Sequence, residues 1–129
     1  MKAKLHKLIG TAVLGLALFA NSLPAWAGLV YTPEVFVGTT GAVGSMAGAR
    51  YSADSTQYIG CTFSNTTGPY VLCNAMDKTG RSLFCIGNQS SYLAAAKAIT
   101  DFSYINFSVT SGGAFCTYLG VDNYSMRLR

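Results

Sequence analysis

Short runs of alternating apolar and polar residues, separated by clusters of glycine, asparagine, serine and proline, mark most of this chain as β-structure. In Gln57–Phe63 the side chains of Ile59, Cys61 and Phe63 fall on one face of a half-buried strand. Pro69–Met76 makes a second strand, with either Val71, Cys73 and Ala75 or Tyr70 and Leu72 turned inward. Arg81–Ile86 makes a third, and together they form a meander. Between the second and third, Lys78-Thr79-Gly80 fits a three-residue loop with Gly80 left-handed. Such a loop sets Cys73 opposite Cys85.

Farther along, Ile105, Phe107 and Val109 alternate with Tyr104, Asn106 and Ser108. Gly112-Gly113 is a two-residue hairpin signal, because both positions accept positive φ. That hairpin pairs Cys116 with Val109 and Tyr118 with Phe107. Tyr124, Met126 and Leu128 alternate with Ser125 and Arg127 as a closing strand. Upstream, Gly28–Gly38 is β-rich but interrupted by Pro33, which suits an edge strand or two short pieces. Thr39–Ala49 is almost entirely Gly, Ala, Ser and Thr, follows neither period, and reads as a loop or closely packed irregular segment. One segment is helical. Ser90–Ile99 is rich in alanine, Tyr92, Ala95, Ala96 and Ile99 form a stripe, and Asn88 or Ser90 caps it. The expected fold is mainly β (β-rich α+β): a small antiparallel β-sandwich or barrel-like domain with one short helix.

The first residues follow another logic. Lys2, Lys4 and Lys7 precede an apolar run from Leu8 to Ala20, then Pro24, then Ala25-Trp26-Ala27. A basic start, a short apolar core and small residues at a cleavage position describe a signal peptide over 1–27. The run is about 13 residues, short of the roughly 20 that span a bilayer. The expectation is therefore a leader cut after Ala27, a single domain over 28–129, no stable membrane insertion, and a secreted or periplasmic destination.

Removing the leader changes the charge. The whole chain carries +4, but Gly28–Arg129 holds six cations and five anions, a net +1. Phosphate-backbone binding needs clustered cations, so nucleic acid is not an expected partner. The leader also holds the only histidine, His6. Without it the mature part has no imidazole for acid–base catalysis or metal binding. Ser-His-Asp and Cys-His catalysis are excluded, and no cofactor or metal site is expected.

Cys61, Cys73, Cys85 and Cys116 all lie in the mature part. An even number in a small exported chain reads as two disulfides, and no C-x2-C spacing points to zinc. Chain entropy contributes roughly 3 and 4 kcal/mol for Cys73–Cys85 with Cys61–Cys116, and about 3 and 3.7 for Cys61–Cys73 with Cys85–Cys116. Entropy does not separate them. The turn register, which sets Cys73 against Cys85, favours the first.

Arg50 is an isolated charge in a small-residue stretch. It is expected either to pair with Asp54 or bond loop carbonyls in a structural role, or to recognise an anion or sugar. Eight tyrosines supply rigid area with polar tips. Tyr51, Tyr58, Tyr70, Tyr104, Tyr118 and Tyr124 form either a recognition patch or cross-strand packing pairs. The segment Gly44-Ser45-Met46-Ala47-Gly48-Ala49-Arg50-Tyr51-Ser52-Ala53-Asp54-Ser55-Thr56-Gln57-Tyr58-Ile59-Gly60-Cys61, and more weakly Cys116-Thr117-Tyr118-Leu119, resembles a group of small exported bacterial proteins without assigned activity. The resemblance implies export, disulfides, and one hydrogen-bonded unit of Arg50, Asp54 and Gln57. It supplies no catalytic residue.

The functional expectation is an exported, non-enzymatic binding or structural module for a protein or carbohydrate ligand. Its candidate binding residues are Arg50, Asp54, Gln57, Tyr51 and Tyr58. One alternative is a small secreted enzyme inhibitor that inserts Thr39–Ala49 or Ser64–Gly68. The other is a hydrolase using carboxylates such as Asp54 and Asp101.

Overall fold

The computed structural model describes residues 31–125. The leader and the Met126–Arg129 part of the closing strand lie outside the described residues. The elements run β1 (Phe36–Val37), β2 (Gly41–Ser45), α1 (Met46–Arg50), β3 (Tyr58–Ser64), β4 (Tyr70–Met76), β5 (Ser82–Gly87), α2 (Ser90–Lys97), β6 (Tyr104–Val109) and β7 (Cys116–Asp122). They build two antiparallel sheets, one of four strands in the order β1-β2-β6-β7 and one of three in the order β3-β4-β5. The product is a disulfide-braced, β-sandwich-like domain.

The meander forms as its sequence requires. Gly80 takes φ 83°, and Asp77 N donates to the Arg81 carbonyl at 3.0 Å. Cys73 stands opposite Cys85, and Val71, Cys73 and Ala75 are the buried face of β4. In the other sheet, Ile105, Phe107 and Val109 point inward from β6, and β1 is an edge strand beside Pro33. Phe107 and Ile105 are fully buried and join Val71, Cys73, Cys85, Tyr92 and Leu119 in one core between the sheets.

Several expectations are corrected. Thr39–Ala49 is not a loop. Its first half is β2, which pairs with β6 over five residues, and its second half enters α1. Small residues serve close approach here rather than freedom. A Cβ at Gly48 would stand 2.3 Å from the Pro33 carbonyl oxygen. The Ser45 hydroxyl accepts from Gly48 N at 3.1 Å and caps the short helix. The described residues thus hold two short helices, not one, and this segment is no inserting inhibitor loop. The helix α2 forms where expected but spans Ser90–Lys97 and stops short of Ile99; Gln89 is its N-cap and no side chain caps it. Gly112-Gly113 does not form a two-residue hairpin. Only Gly112 takes positive φ, at 72°, and Gly113 N bonds the Thr110 carbonyl, so the glycines sit in a wider turn. Cys116 faces Val109, but a bulge then sets Phe107 against Leu119 instead of Tyr118. Residues 123–125 are not strand, so the closing strand does not begin at Tyr124.

The cysteine pairing is also the other one: Cys61 bonds Cys73, and Cys85 bonds Cys116. The register was right and the inference from it was not. In an antiparallel ladder a residue's N–H and C=O point to the same neighbour, so a pair that is hydrogen-bonded and wide on one side is narrow on the other. The Asp77–Arg81 bond sets every odd residue of β4 in a wide pair with β5. Cys73 is therefore in the wide, roughly 5.5 Å, relation to Cys85 and in the narrow relation to Cys61. The Cα atoms of Cys61 and Cys73 stand 3.9 Å apart. Cys85, passed over, reaches across to Cys116 and ties the two sheets together. At the same place Ile86 N donates to the Ala114 carbonyl at 2.7 Å, and Ile86 bridges Phe115 in parallel.

Candidate functional site

The five candidate residues divide among three places. Asp54 and Gln57 form one hydrogen-bonded unit. Asp54 Oδ1 accepts from Thr56 N and Gln57 N, each at 2.9 Å, and Asp54 Oδ2 accepts from the Gln57 amide. Gln57 is 8% exposed, and its Oε1 accepts from Val35 N at 2.7 Å. The unit thus fastens the segment before β1 to the start of β3. Its geometry is that of an Asx turn with a buried strut.

These bonds hold the Asp54 carboxyl at about 2, below its ordinary 3.8, chiefly through the Gln57 side chain and then the Gln57 and Thr56 amides. Asp77 is likewise held at about 2, first by the Thr79 hydroxyl, against the opposing effect of desolvation. Asp77 also pairs with Arg81 at 2.9 Å. A carboxyl whose pKa is depressed on folding adds stability above its unfolded value and loses it as pH falls toward the folded value. The melting temperature should therefore hold through neutral pH and drop between about 4 and 2. An Asp54→Asn, Asp77→Asn variant should show a shallower acid slope in melts followed by circular dichroism. An unchanged slope would contradict the assignment.

Arg50 does not join that unit. The ion pairs among the described residues are Lys78–Glu34 and Arg81–Asp77, and neither involves Arg50. Arg50 and Tyr51 instead line a cleft of about 340 Å³ with Met46, Ala47, Asp101 and Phe102. Asp54 does not line that cleft, so the two carboxylates considered for hydrolysis are not brought together there. Tyr58 lies elsewhere, lining an open hollow of about 440 Å³ with Ile59, Gly60, Cys61, Thr62 and Asn74. No neighbour occupies the position a Cβ would take at Gly60.

The tyrosines are spread over both sheets. Tyr58 and Tyr70 belong to the three-stranded sheet, Tyr104 and Tyr118 to the four-stranded one. The aromatic cluster that does form was missed. On the outer face of the three-stranded sheet, cross-strand rows run Tyr58–Met76–Ser82, Gly60–Asn74–Phe84 and Thr62–Leu72–Ile86. Phe115 extends the last row through its bridge to Ile86. Phe84 is 48% exposed and Phe115 73%. None of these residues is charged. The signal was present in β5, where Phe84 and Ile86 alternate with the buried Cys85. Phe115 could not be assigned to that face from sequence, because its neighbour there comes from another hairpin.

Among the described residues no group of three or more His, Cys, Asp or Glu is placed to hold a metal ion. No described helix is long and apolar enough to cross a membrane. Fold and surface together define a small disulfide-braced β-rich domain with an uncharged aromatic sheet face. Comparison with family models, with characterised proteins and with solved structures finds no match to this chain.

Proposed function

We propose that the chain is exported through an oxidising compartment and acts as a non-enzymatic binding module for a protein or carbohydrate ligand. One observation carries this reading: Phe84, Ile86, Leu72 and Phe115 lie side by side on an exposed, uncharged sheet face. Exposed apolar patches on small domains mark interaction surfaces. Flat aromatic area without charge suits a neutral partner, through ring stacking or apolar contact. Two disulfides support export, because such bonds persist outside the reducing cytosol. The leader-like start at 1–27 supports it too.

The test is a screen of immobilised mature protein against a glycan array and against proteins of its native surroundings. A Phe84→Ser, Phe115→Ser variant should lose bound ligand on the order of tenfold or more, with an unchanged melting temperature. Binding that survives the double substitution removes the sheet face from the proposal. Turnover of peptide, glycan or ester substrates by the purified protein overturns the non-enzymatic reading.

A further inference from the structure

Among the described residues, the outer edge of β3 is the sheet edge that nothing blunts. The free N–H and C=O groups of an edge strand template a further strand, and edges are ordinarily guarded by shortness, charge, proline or a bulge. β1 is two residues long and lies close after Pro33. In β5 the outward N–H of Ile86 is taken by the Ala114 carbonyl. β7 carries the bulge and ends on Asp122. β3 has none of these devices: Tyr58–Ser64 runs seven residues in unbroken register with β4 and holds no charge and no proline. Cys61 stands in a narrow pair with Cys73, so the main-chain groups of Ile59, Cys61 and Phe63 point away from β4. No hydrogen bond engages their N–H groups among the described residues. Phe63 stays 38% exposed at this edge. On the outer face, the open hollow of about 440 Å³ lies over Gly60, beside Tyr58, Thr62 and Asn74.

We propose that β3 pairs antiparallel with β3 of a second copy of this chain, about a two-fold axis at Cys61, and joins two three-stranded sheets into one. The register follows from the outward groups. Cys61 stands opposite the partner's Cys61, and Ile59 opposite the partner's Phe63, in wide pairs that exchange about six main-chain hydrogen bonds, two in each pair. The narrow pairs between them set the partner's Thr62 beside Gly60 and the partner's Ser64 beside Tyr58. A smaller residue thus meets a larger one at each outer-face position, and the threonine enters the hollow over Gly60, where no atom lies within 4 Å of a Cβ position. On the inner face, the partner's Ile59 covers the exposed Phe63. Lys97, 4.6 Å from the Phe63 ring, does not oppose its own copy, because the two Phe63 residues sit at opposite ends of the paired strands. The fit uses the sequence of β3 on both sides and sets no charge against itself, which makes a second copy the occupant. Such a closed two-fold contact is the commonest form of oligomer. It places the two aromatic faces side by side on one continuous sheet, where a ligand with two contacts is held more tightly than by either face alone.

Sedimentation equilibrium of the mature protein at concentrations up to about 100 μM should return twice the mass of one chain. Phe63→Pro removes one outward N–H and leaves the ladder to β4 intact. Thr62→Lys carries a charge into the hollow over the partner's Gly60. Each should raise the dimer dissociation constant on the order of tenfold or more. A monomer at the highest concentration overturns the proposal, and so does a dimer that tolerates both substitutions. Amide hydrogen exchange reads the register directly. On dilution, the Cys61 and Phe63 amides should lose protection on the order of tenfold, while those of Gly60 and Thr62, bonded to β4, keep theirs. Equal loss at all four positions, or loss at none, overturns the pairing. If Phe63→Pro does not fold, Thr62→Lys, at an exposed side chain, and the exchange pattern decide.

Discussion

Replacing Phe107 with alanine should destabilise the domain by about 3–5 kcal/mol, the range for emptying a buried aromatic site. Phe107 has no exposed surface and lies on the inward face of β6, between β2 and β7. Its cross-strand neighbours are Ala42 and Leu119. Alanine at 42 is too small to fill the space, and the sheet ladders on both sides of β6 hold the backbone in place. Little collapse is available, so the cost falls toward the upper part of the range. Small domains are stable by only about 5–15 kcal/mol. Urea unfolding followed by circular dichroism should show a large fall in the midpoint with an unchanged slope. A loss under about 1 kcal/mol would mean that the core closes around the gap and that the sheets are less rigidly seated than described.

Opening the inter-sheet disulfide is expected to cost nearly as much. A Cys85→Ala, Cys116→Ala variant gives up the closure of a loop with sequence separation 31, worth about 3.7 kcal/mol by chain entropy. For a domain near 100 residues this corresponds to a melting temperature lower by roughly 15–20 °C. The same change at Cys61 and Cys73, separation 12, should cost less, about 3 kcal/mol. Thermal melts of the two variants decide the order. Equal or inverted losses would show that folded-state packing, not the unfolded chain, sets the contribution of each bond.

Sequence periodicity was a good guide wherever contacts are local. The meander could be read from Ile59, Cys61 and Phe63, from Val71, Cys73 and Ala75, and from the glycine at 80, since each strand meets its chain neighbour across a short turn. The helix at Ser90 was legible for the same reason. What could not be read depended on partners distant in sequence. The strand β2 is Gly41-Ala42-Val43-Gly44-Ser45, with no β signal of its own, and it exists because β6 lies beside it. Its glycine at 44 leaves room for Val35, which a Cβ would meet at 2.9 Å. The bulge next to Val109 shifted the last hairpin by one residue, a step that period-2 patterning does not encode. The disulfide pairing failed more instructively. The register was legible, but the alternation of wide and narrow pairs along β4 also had to be carried through.

The candidate site divides in the same way. Asp54 and Gln57 were legible as a local unit because they are three residues apart. That Gln57 also holds Val35 requires knowing what packs against β3. Arg50 sits close to Asp54 in sequence, yet α1 turns it toward Asp101 and Phe102. The aromatic face needed the sheet itself, since its members come from β3, β4, β5 and the segment before β7.

The turn between β3 and β4 lies at the surface. Asn65, Thr66, Thr67, Gly68 and Pro69 are all exposed there. Exposed tips of small polar residues are where proteases cut. The Cys61–Cys73 bond straddles this tip. A chain clipped at Thr66 would run as two pieces on a reducing gel and as one without reductant. While that bond stays oxidised, a nick at this point leaves every strand attached to its neighbours.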